Sequence, residues 1–198
     1  MYITRPTGSG KTTTLYALLQ TLLREKSFQA ITLEDPVERE IHDILQVQVN
    51  EKAGITYQAG LKAALRHDPD ILMVGEIRDK ETAHFAFHAA YSGHLVLSTL
   101  HAKNAVGTIH RLKEMGIKKS DLHQTLIAVA SLELISIITQ PHLPSRAAIM
   151  ELLDSNQLTN AINEKTVERP FLSFDHLRRK AFAYGFTTKE TFFKGAAK

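Results

Sequence analysis

No cysteine occurs among the 198 residues. That absence excludes a disulfide framework, thiolate zinc sites and a cysteine nucleophile, and it is compatible with a reducing cytosol. A long apolar run is also missing. The most apolar window, Ala128 to Thr139, contains Glu133 and falls far short of the roughly 20 residues that cross a bilayer. The first residues lack the basic start and apolar stretch of a secretory leader, so the chain reads as cytoplasmic. Charge of one sign is scarce: 24 basic side chains face 21 acidic ones, a formal net charge of +3 that is too small a bias to indicate nucleic-acid binding. Neither an internal repeat nor a low-complexity segment interrupts the chain. With 43% hydrophobic and 23% charged residues, it has the composition of one packed domain with a small appendage.

Against that background the octapeptide Arg5-Pro6-Thr7-Gly8-Ser9-Gly10-Lys11-Thr12 stands out. Gly8 and Gly10 allow backbone N–H groups to turn inward around phosphate oxygens, Lys11 offers a cation to the terminal phosphates, and the Thr12 hydroxyl suits Mg²⁺. The helix that follows adds its positive end to the same place. Pro6, Thr7, Gly8, Ser9, Gly10, Lys11, Thr12 and Thr13 are therefore the candidate nucleotide-binding segment. The pattern GxxxxGK(S/T) expects glycine where this chain has Arg5. Only Tyr2-Ile3-Thr4 precedes the loop as a strand, an abrupt start that predicts a missing upstream portion.

From Lys11 to Lys26, Leu15, Leu18, Leu19, Leu22 and Leu23 share one face at helical spacing. Short β-prone runs follow at Ala30 to Leu33, Ile71 to Val74 and Leu95 to Thr99, separated by helical stretches such as Tyr57 to Arg66 and Lys80 to Tyr91. Such alternation implies an α/β fold with a parallel sheet. Each run ends in a chemically loaded tail: the phosphate loop, Glu34-Asp35, Gly75-Glu76 and His101. In an open parallel sheet the ligand crevice lies beyond the carboxyl ends of the strands, so these four tails are expected to converge on one pocket. Asp70 begins its strand, at the opposite end, and is a poor magnesium candidate. After Asn104 the pattern is mostly helical up to a break at Pro141 to Ser145. A strand-like Arg146 to Leu152 comes next, then two or three short helices separated at Pro170 and Gly185. The expected division is a core over 1–140 and a C-terminal strand and helical subdomain over 141–198.

Glu34, at a strand exit and followed by the turn-forming Pro36, is placed to orient water or reach a metal shell; a solvated acidic turn is the alternative. Glu76, at the end of the most apolar strand, sits where phosphate-loop enzymes keep the carboxylate that holds magnesium or its water, although Gly75 replaces the aspartate usual there. Pairing of Glu76 with Arg78 is its structural alternative. His94 and His101 bracket one strand, an arrangement unsuited to a shared zinc site; they are either two unrelated core or surface histidines or, with a third phosphate in the pocket, His101 is a sensor of the terminal group. Arg66, Arg78 and Arg111 are phosphate or subunit contacts, or ordinary surface pairs.

Three segments resemble one family. Leu65-Arg66-His67-Asp68-Pro69-Asp70-Ile71-Leu72-Met73-Val74-Gly75-Glu76-Ile77-Arg78-Asp79 is similar to the atypical Walker B signature of the secretion and type IV pilus assembly ATPases. Ile31 to Glu38 resembles their aspartate box and Gly93 to Ala105 their histidine box. The resemblance spans essentially the whole chain and implies a RecA-like phosphate-loop core that uses ATP and Mg²⁺. By it, Lys11 and Thr12 bind phosphates and magnesium, Glu76 is the Walker B carboxylate and second metal-site residue, Glu34 belongs to the box that polarises water, and His94 and His101 are the histidine-box pair, His101 completing the catalytic set. It leaves open which glutamate is the base. It also implies a homo-hexameric ring, peripheral on the cytoplasmic face of the membrane, working with an inner-membrane platform protein and other pseudopilus components and without direct nucleic-acid contact. Family members carry an N-terminal domain that is absent here. Without the four-cysteine module, the chain resembles the Gram-positive competence or the retraction branch. Arg5 and the missing domain also admit a nucleotide-binding remnant without turnover; a DNA translocase is disfavoured by the near-neutral charge.

Overall fold

The computed structural model describes residues 1–4, 8–138, 144–165, 171–190 and 192. Among the described residues, seven strands form one sheet in the order β3-β2-β4-β5-β1-β6-β7. They are β1 (Tyr2–Thr4), β2 (Ala30–Glu34), β3 (Leu45–Gln48), β4 (Ile71–Val74), β5 (Leu95–Leu100), β6 (Ala128–Ile138) and β7 (Pro144–Asp154). Every pairing is parallel except β6 with β7. The helices are α1 (Lys11–Glu25), α2 (Tyr57–Ala64), α3 (Lys80–Tyr91), α4 (Ala105–Glu114), α5 (Lys119–Thr125), α6 (Ser155–Ile162) and α7 (Phe174–Ala183).

Strand alternation sorts the core into two layers. On β4, Leu72 and Val74 point toward the layer built with α2 to α6, while Ile71 and Met73 point toward α1. Tyr2 and Ile3 of β1 divide in the same way, as do Val96 and Leu97 of β5. The leucine face of α1 covers one side through Leu15, Leu19 and the half-buried Leu18, Leu22 and Leu23. Burial on both faces is why β2, β4 and β5 read as continuous apolar runs rather than alternating ones.

Two strands depart from the sequence pattern. The stretch 128–138, expected within a mostly helical region, is the long strand β6, rich in β-branched Val129, Ile135, Ile137 and Ile138 and wedged between β1 and β7. Strand β3, which none of the expected runs covers, is a four-residue edge with Leu45 and Gln48 exposed. The strand expected at Arg146 to Leu152 is β7, extended to Pro144–Asp154. It pairs with β6 from Ala128 with Asp154 to Ile138 with Pro144. The break expected at Pro141 to Ser145 falls largely outside the described residues, as does Pro170. Helices α6 and α7 account for two of the C-terminal helices expected, and Gly185 follows α7.

Because Leu72 is fully buried in the central strand, Leu72→Ala should lower unfolding free energy by about 2–5 kcal/mol. Leu45→Ala, on a side chain 52% exposed, should cost under about 1 kcal/mol. Denaturant titration of both variants checks the layer assignment; comparable losses would contradict it.

Candidate functional site

Parallel registry places the loaded tails side by side. Leu33 is level with Val74, Val74 with Ser98, and Ser98 with Tyr2. Glu34, Gly75-Glu76, His101 and the end of β1 at Thr4 therefore lie at one edge of four adjacent strands. At the other edge lie Asp70, whose carboxylate accepts from Gln29 N at 2.8 Å, and His94, whose Nδ1 faces Ala89 O at 3.0 Å. The two histidines are thus separated by the length of β5, and neither Asp70 nor His94 belongs to the site.

Residues Arg5, Pro6 and Thr7 lie outside the described residues. Gly8 and Gly10 have φ of 82° and 88°, the left-handed region in which a side chain is strained, so the loop's course needs glycine at both. Gly10 is the residue before α1, whose N-terminus has no side-chain cap and no acid in its first turn. Helices α2, α3, α4 and α7 are capped instead by Thr56, Asp79, Asn104 and Ser173. The buried Ser9 Oγ has no hydrogen-bond partner among the described residues. An orphaned hydroxyl beside uncapped backbone donors fits a polyphosphate.

Lys11 is 8% exposed. Burial lowers its pKa from the ordinary lysine value, and Glu76 and then Glu38 pull it back up. Thr12 Oγ1 donates to Glu38 Oε1 at 3.5 Å, and Thr13 is exposed on the same turn. Glu76 is gripped from two sides: His101 Nε2 lies 2.6 Å from Oε1, and Arg78 Nε donates to Oε2 at 2.6 Å. Arg78 also reaches Asp35 at 3.2 Å, and its bond to Glu76 is the chief cause of a pKa raised above the usual arginine value. Pairing of Glu76 with Arg78, the structural alternative, thus coexists with the contact to His101. These groups border a cavity of about 140 Å³ that Arg111 also lines. Arg111 itself forms a surface pair with Glu114, and Arg66 is exposed.

Glu34 is held differently. Only 3% exposed, its carboxylate accepts from Tyr16 Oη of α1, from Thr32 Oγ1 at 2.6 Å and from Gln46 Nε2 at 3.1 Å. Gly75 explains its own presence at the strand end. Its N–H donates to Leu33 O at 2.7 Å, and a Cβ there would lie 3.3 Å from that oxygen and 3.4 Å from Glu34 Cα. A side chain at this position would fit only if the β2 backbone gave way by a few tenths of an ångström. The Asp35–Pro36 peptide is cis. Burial raises the Tyr57 pKa to about 12, with Asp35, Glu76 and Glu34 adding to the rise against Arg78.

Sequence reasoning missed Tyr16, Gln46, the role of Glu38 as a neighbour and the reach of Arg78 to Asp35. Glu38 was legible as a second acid four residues after Glu34. The alternation Leu45-Gln46-Val47-Gln48 carried a weak strand signal, and its glutamines fasten the 35–44 segment: Gln46 Oε1 accepts from Ile41 N at 2.6 Å and Gln48 Oε1 from Val37 N at 3.3 Å.

The donor set fits a hard cation only in part. Thr12, Glu38 and Glu76 offer oxygen ligands, and no cluster of three or more metal-binding side chains occurs among the described residues. That suits Mg²⁺ held with help from substrate phosphates and water rather than an all-protein cage.

Fold and edge together define a RecA-like α/β domain of the phosphate-loop class. Residues 1–169 match the family described as Type II/IV secretion system protein, and the chain belongs to that family. Competence protein ComGA of Bacillus subtilis (strain 168) is 45% identical over 208 residues, covering 97% of this chain and 58% of that protein. Type II secretion system ATPase E of Vibrio cholerae serotype O1 is 50% identical over 133 residues, 67% of this chain and 26% of that protein. The crystal structure of the pilus retraction motor PilT with bound ADP has a TM-score of 0.80 at 29% identity, covering 98% of this chain and 60% of that one. The chain thus spans 58% of the length of the Bacillus relative. No helix among the described residues is long and apolar enough to cross a membrane.

Tyr16 must be protonated to donate to Glu34. Its pKa is raised from 10.0 to about 12, first by burial and then by this bond, so the stability it contributes is whole below pH 10 and is lost as pH climbs through 12. Tyr16→Phe should therefore cost about 1–3 kcal/mol at pH 7, and the gap to the unaltered protein should narrow above pH 10. Unfolding curves at pH 7, 9 and 11 check this; a pH-independent gap would assign the loss to packing.

Proposed function

We propose that this chain is the ATP-hydrolysing part of a motor that powers assembly of a competence pseudopilus for DNA uptake, a type IV pilus or a type II secretion machine. Family membership and the likeness to a pilus motor with bound ADP support the class. The observation that carries the chemistry is the meeting of the Lys11-Thr12 turn with the Glu76–His101 pair at one sheet edge.

In this reading Gly8, Ser9, Gly10, Lys11 and the first turn of α1 hold the phosphates by backbone and side-chain donors, with Pro6, Thr7 and Thr13 completing the segment. Thr12 and Glu76 would hold magnesium, which would supply positive charge to offset that on the transferring phosphate. Lys11 supplies a cation at the terminal oxygens. One carboxylate of the pair Glu34 and Glu76 orients the attacking water, and His101, bound to Glu76, senses the terminal phosphate. The functional unit is a homo-hexameric ring, peripheral on the cytoplasmic face of the membrane, in which the core over 1–140 and the part over 141–198 engage an inner-membrane platform protein and other pseudopilus components.

Lys11→Ala should reduce phosphate release from ATP by at least about 100-fold; unimpaired release would refute the assignment. The base is then the glutamate whose Gln variant retains ATP-analogue affinity yet loses turnover by a similar factor. Equal turnover in Glu34→Gln, Glu76→Gln and the unaltered protein would exclude both.

A further inference from the structure

Glu151, on β7, is a buried carboxylate that the chemistry above leaves unused. It is 3% exposed and pairs in register with Ser131 of β6. Each of its oxygens ends a helix: Oε2 accepts from Ala105 N at 3.0 Å, and Oε1 accepts from Phe174 N at 2.8 Å. Ala105 is the first residue of α4 and Phe174 the first of α7. The ordinary caps serve later donors, Asn104 binding Gly107 N at 2.7 Å and Ser173 binding His176 N at 3.4 Å. Glu151 thus takes the first N–H of each helix, which the caps do not reach, and the positive ends of two helices converge on one negative charge.

The two helices lead to different places. Helix α4 starts four residues after His101, so the short segment carrying that histidine is pinned by β5 at one end and by Glu151 at the other. Helix α7 is also fastened to β6, where Arg178 NH1 donates to both Glu133 oxygens at 2.7 and 2.9 Å. Any shift of α7 against the sheet acts on Phe174 N, hence on the carboxylate that fixes Ala105 and the approach to His101.

We propose that Glu151 is a positioning residue for hydrolysis, joining α7 to the His101 segment so that the placement of α7 sets the His101–Glu76 contact. The proposal rests on the functional reading given above for Glu76 and His101. Glutamine at 151 keeps the size but offers one acceptor oxygen and turns an N–H donor toward a backbone N–H, so one helix start loses its anchor.

The test compares Glu151→Gln, Arg178→Ala and the double variant of the purified protein. Glu151→Gln should lower kcat about tenfold with little change in KM or in affinity for an ATP analogue, because the Lys11 turn is untouched. Arg178→Ala should lower kcat several-fold alone and under about twofold in the Glu151→Gln background, the non-additivity expected of one coupled path. Additive losses, or a lower melting temperature with kcat unchanged, would overturn the proposal and leave Glu151 a purely structural anchor. If Glu151→Gln does not fold, hydrogen exchange at the Ala105 amide in Arg178→Ala decides: faster exchange than in the unaltered protein supports transmission, equal exchange refutes it. Absent turnover in the unaltered protein, or turnover indifferent to Lys11→Ala, would instead refute the motor reading, and the exchange result would still judge the link between the helices.

Discussion

The in-register parallel pairing of β2, β4, β5 and β1 is the constraint on which the site depends. Side chains that are far apart in sequence meet because four strand ends terminate at one level, and each strand is held at that level by neighbours on both sides. The pairing is unforgiving because the strands are buried on both faces. A one-residue slip would carry Leu72 and Val74 into the α1 layer and Ile71 and Met73 out of it. Core packing therefore fixes the position of Glu76 along its strand before any polar contact does so. The bonds of Gly75 to Leu33 O and of Thr99 Oγ1 to Gly75 O then carry the alignment one residue past the sheet.

How much of this could be read from the sequence follows from what each element buries. Strands β2, β4 and β5 are short apolar runs bounded by turn residues, and α1 has a leucine stripe, so their type was plain. Strand β6 was not, because its apolar residues suit a buried helix as well as a strand; only its place between β1 and β7 decides the matter. Strand β3 has half its residues in water and lacks the apolar content that marks its neighbours. The site was legible where chemistry is written in local spacing, as in Gly10-Lys11-Thr12 or Gly75-Glu76. It was illegible where a partner comes from another element: nothing in the spacing of Tyr16 or Gln46 points to Glu34, and Arg78 is legible as a partner of Glu76 but not of Asp35.

The two glutamates at the edge stand in contrasting surroundings. Glu34 is enclosed by three side-chain donors, one each from α1, β2 and β3, an arrangement that resists displacement. Glu76 is bound to the Arg78 guanidinium through one oxygen, has the ring of the half-exposed His101 2.6 Å from the other, and its charge is felt by Lys11. A carboxylate tied to half-exposed side chains adjusts to a new charge more readily than one enclosed by buried donors. Under the proposed function, Glu76 is thus the member of the pair suited to respond to the nucleotide, and Glu34 the member suited to hold a fixed direction.

Electrostatics also limits how a polyphosphate enters. The Lys11-Thr12 turn already faces two carboxylates, Glu38 and Glu76, so negative phosphate oxygens arriving there meet charge of their own sign. Two responses relieve that repulsion: a divalent cation between phosphate and carboxylate, or withdrawal of the 35–44 segment that carries Glu38. Glu76 is bound to β4's end through its own backbone and cannot retreat far, which makes it the natural partner of a cation. Glu38 lies on a loop tied by Gln46 and Gln48, both on an edge strand with one neighbour in the sheet, so its anchorage is the weaker one. Under the proposed function, the sheet's central strands thus carry the more firmly placed backbone, that of Glu76, and its edge strand the less firmly placed one, that of Glu38.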